Sequence, residues 1–185
     1  MLTLNFAPFP ELETDRLRLR KLKPEDAPAL FVLRSDPEIM KYIPRPLAVS
    51  VDDVTSLIDM INGLLDKNES ISWAIALKDT DQIIGTIGFV RLSKENHRGE
   101  VGYMLSKDFQ GKGFVVEALK AIIDFGFSQL KFHTIFAIVD PENIASVKLL
   151  ERNEFVKEAH FREDCYYDGR FLDSVHYSLM NPSRR

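Results

Sequence analysis

Gln110-Gly111-Lys112-Gly113-Phe114-Val115 stands between a strand-like run, Gly99 to Leu105, and a stretch with long helical spacing. Two glycines at a strand-to-helix turn let the backbone curl until several N–H groups converge, and the helix adds its unpaired first-turn donors and the positive end of its dipole. Such a loop can hold a phosphate, although a glycine turn that merely starts a helix fits the same residues. It is not a P-loop, because no Gly-x-x-x-x-Gly-Lys-Ser/Thr is present, nor a dinucleotide fingerprint, because Val116 occupies the third glycine's place. Nucleophilic chemistry finds no support: there is no Ser-His-Asp order or nucleophile elbow, and Cys165 lacks a recognisable His/Asn pattern. His97, His133, His160 and His176 lack ligand spacing, so no metal is expected.

The elements that must carry the loop can be read from periodicity. Arg16-Leu17-Arg18-Leu19-Arg20 alternates and predicts a half-buried strand with its arginines on the wetter face. Pro24 opens a helix to about Arg34, with Asp26 in the first turn, and Pro37 and Pro44-Arg45-Pro46 break the chain beyond it. Ser50 and Asp53 form a capping-box pattern ahead of Val54, Leu57, Ile58, Ile61, Leu64 and Leu65. Ser72 to Leu77, Gln82 to Leu92 and Gly99 to Leu105 read as an antiparallel meander. Gly85 and Gly88 in its middle strand point to a bulge or a close backbone approach.

From Lys112 onward, Val115, Val116, Leu119, Ile122, Ile123, Phe127 and Leu130 form an apolar stripe, and Thr134 to Val139 is a short strand after it. That unit should return parallel to Gly99–Leu105, which makes the sheet mixed. Asn143 to Arg152 reads as a short helix, Asp168-Gly169 as the tip of a hairpin, and Ser174 to Met180 as a closing strand. The expected class is α/β: a mixed, mostly antiparallel sheet of six to seven strands flanked by helices, in a single domain spanning residues 1–185.

The 185 residues carry 45% hydrophobic and 28% charged side chains, ordinary values for a chain long enough to bury a core. A net charge of -4 disfavours a general nucleic-acid binder and suits an amine-bearing partner. The first ten residues lack a basic segment followed by an apolar one, no apolar run is long enough to span a bilayer, and one cysteine excludes an internal disulfide. A cytoplasmic protein is expected, without nucleic-acid or membrane partners.

The ordered set of pieces resembles the GNAT superfamily of acyl-CoA-dependent N-acetyltransferases, and within it the ribosomal-protein N-terminal acetyltransferase (Rim-type) branch. The pieces are Thr14 to Arg20 with Glu25-Asp26-Ala27, Ser35 to Tyr42, Ser72-Trp73-Ala74-Ile75, Ile84 to Gly88, Gly102 to Leu105, Gln110 to Gly113, Glu117-Ala118-Leu119 and Asn143-Ile144-Ala145-Ser146. The resemblance implies a fold whose two central parallel strands splay at the acyl-CoA site. It implies acetyl-CoA as co-substrate, held by the backbone of Gln110, Gly111, Lys112, Gly113, Phe114 and Val115, with Val115 departing from the family's Gly or Ala. It assigns the main chain of Met104 and Leu105 to the pantetheine arm, and Asn143 to the arm or a water.

The implied reaction is direct transfer of an acetyl group to a primary amine in a ternary complex. The acceptor is a protein N-terminal α-amine, of a ribosomal protein or another peptide, or a small amine. Many superfamily members place a tyrosine acid where this chain has Leu150, so the resemblance passes the leaving-group acid to Ser146 and the base to Glu100, with Glu117 a structural partner. Trp73, Tyr42 and Tyr103 are candidates for the acceptor cleft or for core. A non-catalytic acyl-CoA-binding protein of the same fold is the alternative, suggested by Val115, Leu150 and Glu154. Related enzymes are often monomers or dimers, so the resemblance implies a monomer or homodimer.

Overall fold

A computed structural model describes residues 1–184. In chain order the strands are β1 (Leu12–Glu13), β2 (Leu17–Arg20), β3 (Ile71–Leu77), β4 (Ile83–Ser93), β5 (Arg98–Leu105), β6 (Thr134–Val139), β7 (Val156–Tyr167) and β8 (Arg170–Met180). The α-helices are α1 (Ala27–Arg34), α2 (Pro37–Met40), α3 (Val51–Asp66), α4 (Phe114–Ser128) and α5 (Ile144–Arg152). One eight-stranded sheet runs in the order β1-β2-β3-β4-β5-β6-β8-β7. All neighbours pair antiparallel except β5 and β6, so the sheet is mixed, as its pattern implied.

Two apolar layers cover the sheet. On one face, Leu30 and Leu33 of α1 and Val54 and Ile58 of α3 pack on Ala74 and Met104. On the other, Leu119 and Ile122 of α4 and Leu149 and Leu150 of α5 pack with Leu17, Trp73, Ile87 and Val101. The alternation of β5 follows from that division: Val101 and Leu105 serve the α4 and α5 layer, and Met104 serves the α1 and α3 layer.

Local signals explain the ends of these elements. Ser50 Oγ accepts the Asp53 N–H at 3.2 Å while the Asp53 carboxylate accepts the Ser50 N–H at 3.0 Å, which starts α3. Asp168 and Gly169 take φ of 48° and 75°, the left-handed pair that joins β7 to β8 tightly. Gly85 admits the end of β5: a Cβ there would lie 2.2 Å from the Met104 carbonyl oxygen.

One expectation is corrected. Arg20 does not sit on a wet face. Its guanidinium is 5% exposed and donates to both oxygens of Asp26 at 2.8 Å and to Asp81 at 2.9 Å. The start of α1 and the β3–β4 turn close over that end of β2, so alternation there separates two covered faces rather than a dry face from a wet one. Trp73, a candidate for either cleft or core, is core: fully buried, it donates its indole N–H to the Pro10 carbonyl at 2.7 Å and packs edge-on against Phe89 and Phe125.

Candidate active site

β5 and β6 pair through only three residues each, Arg98, Gly99 and Glu100 opposite Thr134, Ile135 and Phe136. Beyond them the two strands have no register, and a gap opens toward their C-terminal ends. The edge of β5 along that gap can be derived from its other side. Ser106 donates to the Ile84 carbonyl at 2.8 Å, flanking the Leu105–Gly85 pair, so Leu105 is a residue whose own N–H and C=O point away from β4. Its carbonyl accepts from the Gln110 side chain at 3.1 Å. By alternation Tyr103 also presents its main chain to the gap, whereas Met104 exchanges its bonds with Thr86. Of the expected pair, Leu105 therefore turns its main-chain groups toward the gap and Met104 does not, and Tyr103 takes the equivalent position on the next pleat.

The glycine loop stands at the open end of this gap. Gly111 and Gly113 have φ of 70° and 81°, and Gly113 is itself the N-cap of α4. A glycine supplies no capping side chain, so the first-turn donors of α4 have no side-chain cap. Nothing lies within 4 Å of a Cβ built on Gly111, so the space beside its backbone is open. Val115 packs its partly buried side chain against the core, so its departure from Gly or Ala is absorbed by packing and its N–H stays at the helix start.

The loop is held from beneath. Arg16 donates to the Lys112 carbonyl at 3.0 Å, stacks its guanidinium 4.2 Å over the Phe114 ring, and pairs with Glu117 at 2.7 Å. Glu117 also accepts from the Arg16 N–H at 2.9 Å and from the Thr14 hydroxyl. Glu117 is thus the tie between the start of β2 and the loop. A phosphate-bearing arm lying along an unpaired strand edge fits these groups: amides at one end, strand-like donors and acceptors along the gap.

The remaining candidates fall on opposite faces of the gap. Ser146 lies in the first turn of α5, where Asn143 Oδ1 accepts its N–H at 3.1 Å and caps the helix; the rest of the Asn143 amide remains available. Across from Ser146, the Tyr103 hydroxyl is buried and has no hydrogen-bond partner among the described residues. Burial pushes the Tyr103 phenol up to about 12, with the nearby Ser146 hydroxyl opposing the shift.

Glu100 belongs to the other face and closes the bottom of the gap. Its side chain is 12% exposed, and Oε2 lies 3.2 Å from Arg91 Nη1 but off the hydrogen-bonding direction. Burial raises its pKa, and the Arg91 charge offsets that only in part. A carboxylate in this state is poised to take a proton. Tyr42 is half-buried in the α2–α3 loop. Sequence reasoning placed Tyr103 only as a lining residue; its meeting with Ser146 depends on the β5–α5 approach, which no local pattern encodes.

Known proteins share this fold. An acetyltransferase (GNAT) domain profile matches residues 16–156. The chain is 41% identical over 169 residues to an uncharacterized N-acetyltransferase, p20, of Bacillus licheniformis, covering 91% of this chain and 95% of that one. Among solved structures, the ribosomal-protein-S5-alanine acetyltransferase from Vibrio fischeri superposes with a TM-score of 0.82 at 25% identity, over 95% of this chain and 99% of that chain. The spermidine N-acetyltransferase from Vibrio cholerae, in complex with CoA and spermine, shares the fold with a TM-score of 0.79 at 24% identity, over 91% and 97%. Splayed strands, glycine loop and these matches lead to one conclusion: the chain belongs to the GNAT acetyltransferase family.

Proposed function

We propose that this acetyltransferase moves the acetyl group of acetyl-CoA to a primary amine, a protein N-terminal α-amine or a small amine, by direct attack within a ternary complex. The observation that carries this reading is the unpaired edge of β5 leading from the Gly111–Gly113 cradle to Glu100, with Ser146 facing it from α5. Solved relatives support the acceptor class, since one carries CoA with a polyamine and another is named for a ribosomal protein. A cytoplasmic monomer or homodimer belongs to the same reading. Among the described residues no helix is long and apolar enough to cross a membrane, and no cluster of His, Cys, Asp and Glu could hold a metal ion.

The residues divide the work by face. Glu100 takes a proton from the incoming amine, directly or through water, so that the nitrogen lone pair is free to bond to the acetyl carbon. The main-chain N–H groups at Tyr103 and Leu105 lie along the gap where charge builds on the carbonyl oxygen. As the carbon–sulfur bond breaks, Ser146 gives the departing sulfur its hydroxyl proton and regains one, through water, from the nitrogen as it becomes the amide. Tyr103, held neutral by burial, keeps its hydroxyl beside Ser146 and steadies the serine oxygen while its proton is away. Asn143 fixes the first turn of α5 so that Ser146 stays in place.

The test is thiol release from acetyl-CoA with a panel of N-terminal peptides, polyamines and small amines, beside calorimetric titration with CoA. Acceptor-dependent release together with saturable CoA binding supports the reading; CoA binding with no transfer to any amine would refute it.

A further inference from the structure

We propose that Arg34 and Arg45 form an anion subsite at the mouth of the gap that receives a carboxylate carried by the amine acceptor. The proposal rests on the acetyl-transfer reading above and names the acceptor's second functional group. Strand register sets the location. Val175 of β8 lies opposite Val139, the last residue of β6, so Arg170 to Ser174 and their β7 partners continue past the sheet and overhang the open end. The α1–α2 corner stands at that same end, because Asp36 pairs with Lys107, just past β5, at 2.8 Å. Arg34 occupies the last turn of α1. Its carbonyl accepts the Ala48 N–H at 3.0 Å, which folds the segment containing Arg45 back beside it.

Arg34 is half-buried, yet among the described residues neither it nor Arg45 has a carboxylate oxygen within 4.0 Å. Nearby acids are engaged elsewhere: Asp36 holds Lys107 and caps α2, and Glu38 and Glu142 lie near Lys41. Burial and the Arg45 charge both hold the Arg34 pKa below the usual arginine range, opposed only by Tyr167 at the hairpin tip. A partly desolvated guanidinium near a second one, faced by the C-terminal dipole of α1 and the Tyr167 phenol but by no carboxylate within 4.0 Å among the described residues, is an arrangement that an incoming carboxylate would complete. The planar fork of arginine matches a carboxylate in two bonds, and the same two charges repel a polyamine. The favoured acceptor therefore carries an acid near its amine.

The experiment uses the full chain, acetyl-CoA and matched acceptors: the amidated peptides Ser-Glu-Ala-Ala and Ser-Gln-Ala-Ala, free glutamate, and spermidine. The expected result is about a tenfold higher kcat/KM for the acidic peptide than for its amide twin, carried by KM, the effect of one charge-assisted contact. Glutamate outperforming the peptides would assign the subsite to a free amino acid, and the reverse to a peptide side chain. Arg34→Gln, and independently the exposed Arg45→Gln, should each narrow the acid-to-amide ratio. Titration with the two N-acetylated product peptides repeats the comparison without turnover. Equal affinities for those products, a ratio unchanged by both substitutions, or spermidine as the best acceptor would overturn the subsite. Failure to bind CoA would instead overturn the reading beneath it, while the product titration still judges Arg34 and Arg45.

Discussion

Replacing Glu100 with glutamine keeps the side chain's size and removes only its charge and its capacity to take a proton. Its partner cannot compensate the carboxylate for burial: Arg91 is 69% exposed, and a pair of that kind contributes about 0–1 kcal/mol. If Glu100 is the base, Glu100→Gln lowers kcat/KM by about 10²–10⁴-fold. The acid limb of the pH–rate profile, where activity rises as Glu100 loses its proton, disappears with it.

Stability moves the other way. A carboxyl whose folded-state pKa is raised binds more protons in the folded than in the unfolded chain between the two values, so stability falls as pH rises through that window. Glutamine carries no such penalty. The variant's urea midpoint therefore exceeds the wild type's at about pH 8, and the difference closes below about pH 4, where the carboxyl is protonated in both states. Thiol-release kinetics across pH and urea titrations at two pH values are the assays. An unchanged rate and pH profile would refute the catalytic assignment, and a variant less stable at the higher pH would refute the burial argument.

Asp26→Asn leaves the buried Arg20 guanidinium without its bidentate partner and should cost about 3–5 kcal/mol in urea unfolding. Although burial alone would raise the Asp26 pKa, the Arg20 and Lys23 contacts hold it below the usual value. The wild type's advantage is thus full above the unfolded pKa and fades as pH falls through the folded one. Ser146→Ala should lower kcat by about 10²-fold while CoA titration is unchanged. Tyr103→Phe should lower kcat less, with its main effect on the alkaline limb of the pH profile, and a kcat equal to the wild type's would remove Tyr103 from the mechanism. Gly113→Ala forces a side chain onto a φ of 81°; since Arg16 Nη2 would lie an ordinary 3.5 Å from the new Cβ, the cost is conformational, about 1–2 kcal/mol, and appears as weaker CoA binding.

The elements that sequence reasoning located carry their own punctuation. Ser50 with Asp53, Asp168 with Gly169, and the paired glycines before α4 each state a backbone geometry within a few residues. What escaped depends on distant chain segments. Arg20 looked solvated because its burial comes from Asp26 and the β3–β4 turn, and β7 carries no alternation because it is an edge strand exposed along most of its length. The splay was implied by resemblance rather than by pattern, since the end of a ladder leaves the side-chain alternation of β5 intact. Glu100 could be placed on a strand, but its burial and missing hydrogen bond follow from Phe136 and Arg91, which lie across strands. Arg34 and Arg45 drew no attention, because uncompensated charge is visible only once neighbours are known.

The three-residue seam between β5 and β6 makes one strand keep two clocks. Amide hydrogens of Gly102 and Met104, bonded to β4, exchange with solvent only when that ladder opens, whereas those of Tyr103 and Leu105 border the gap and exchange on the timescale of local fluctuation. Slow and fast alternate residue by residue along four consecutive positions. A guest lying along the edge silences the fast pair and leaves the slow pair as it was, so the strand reports its own occupancy without a label.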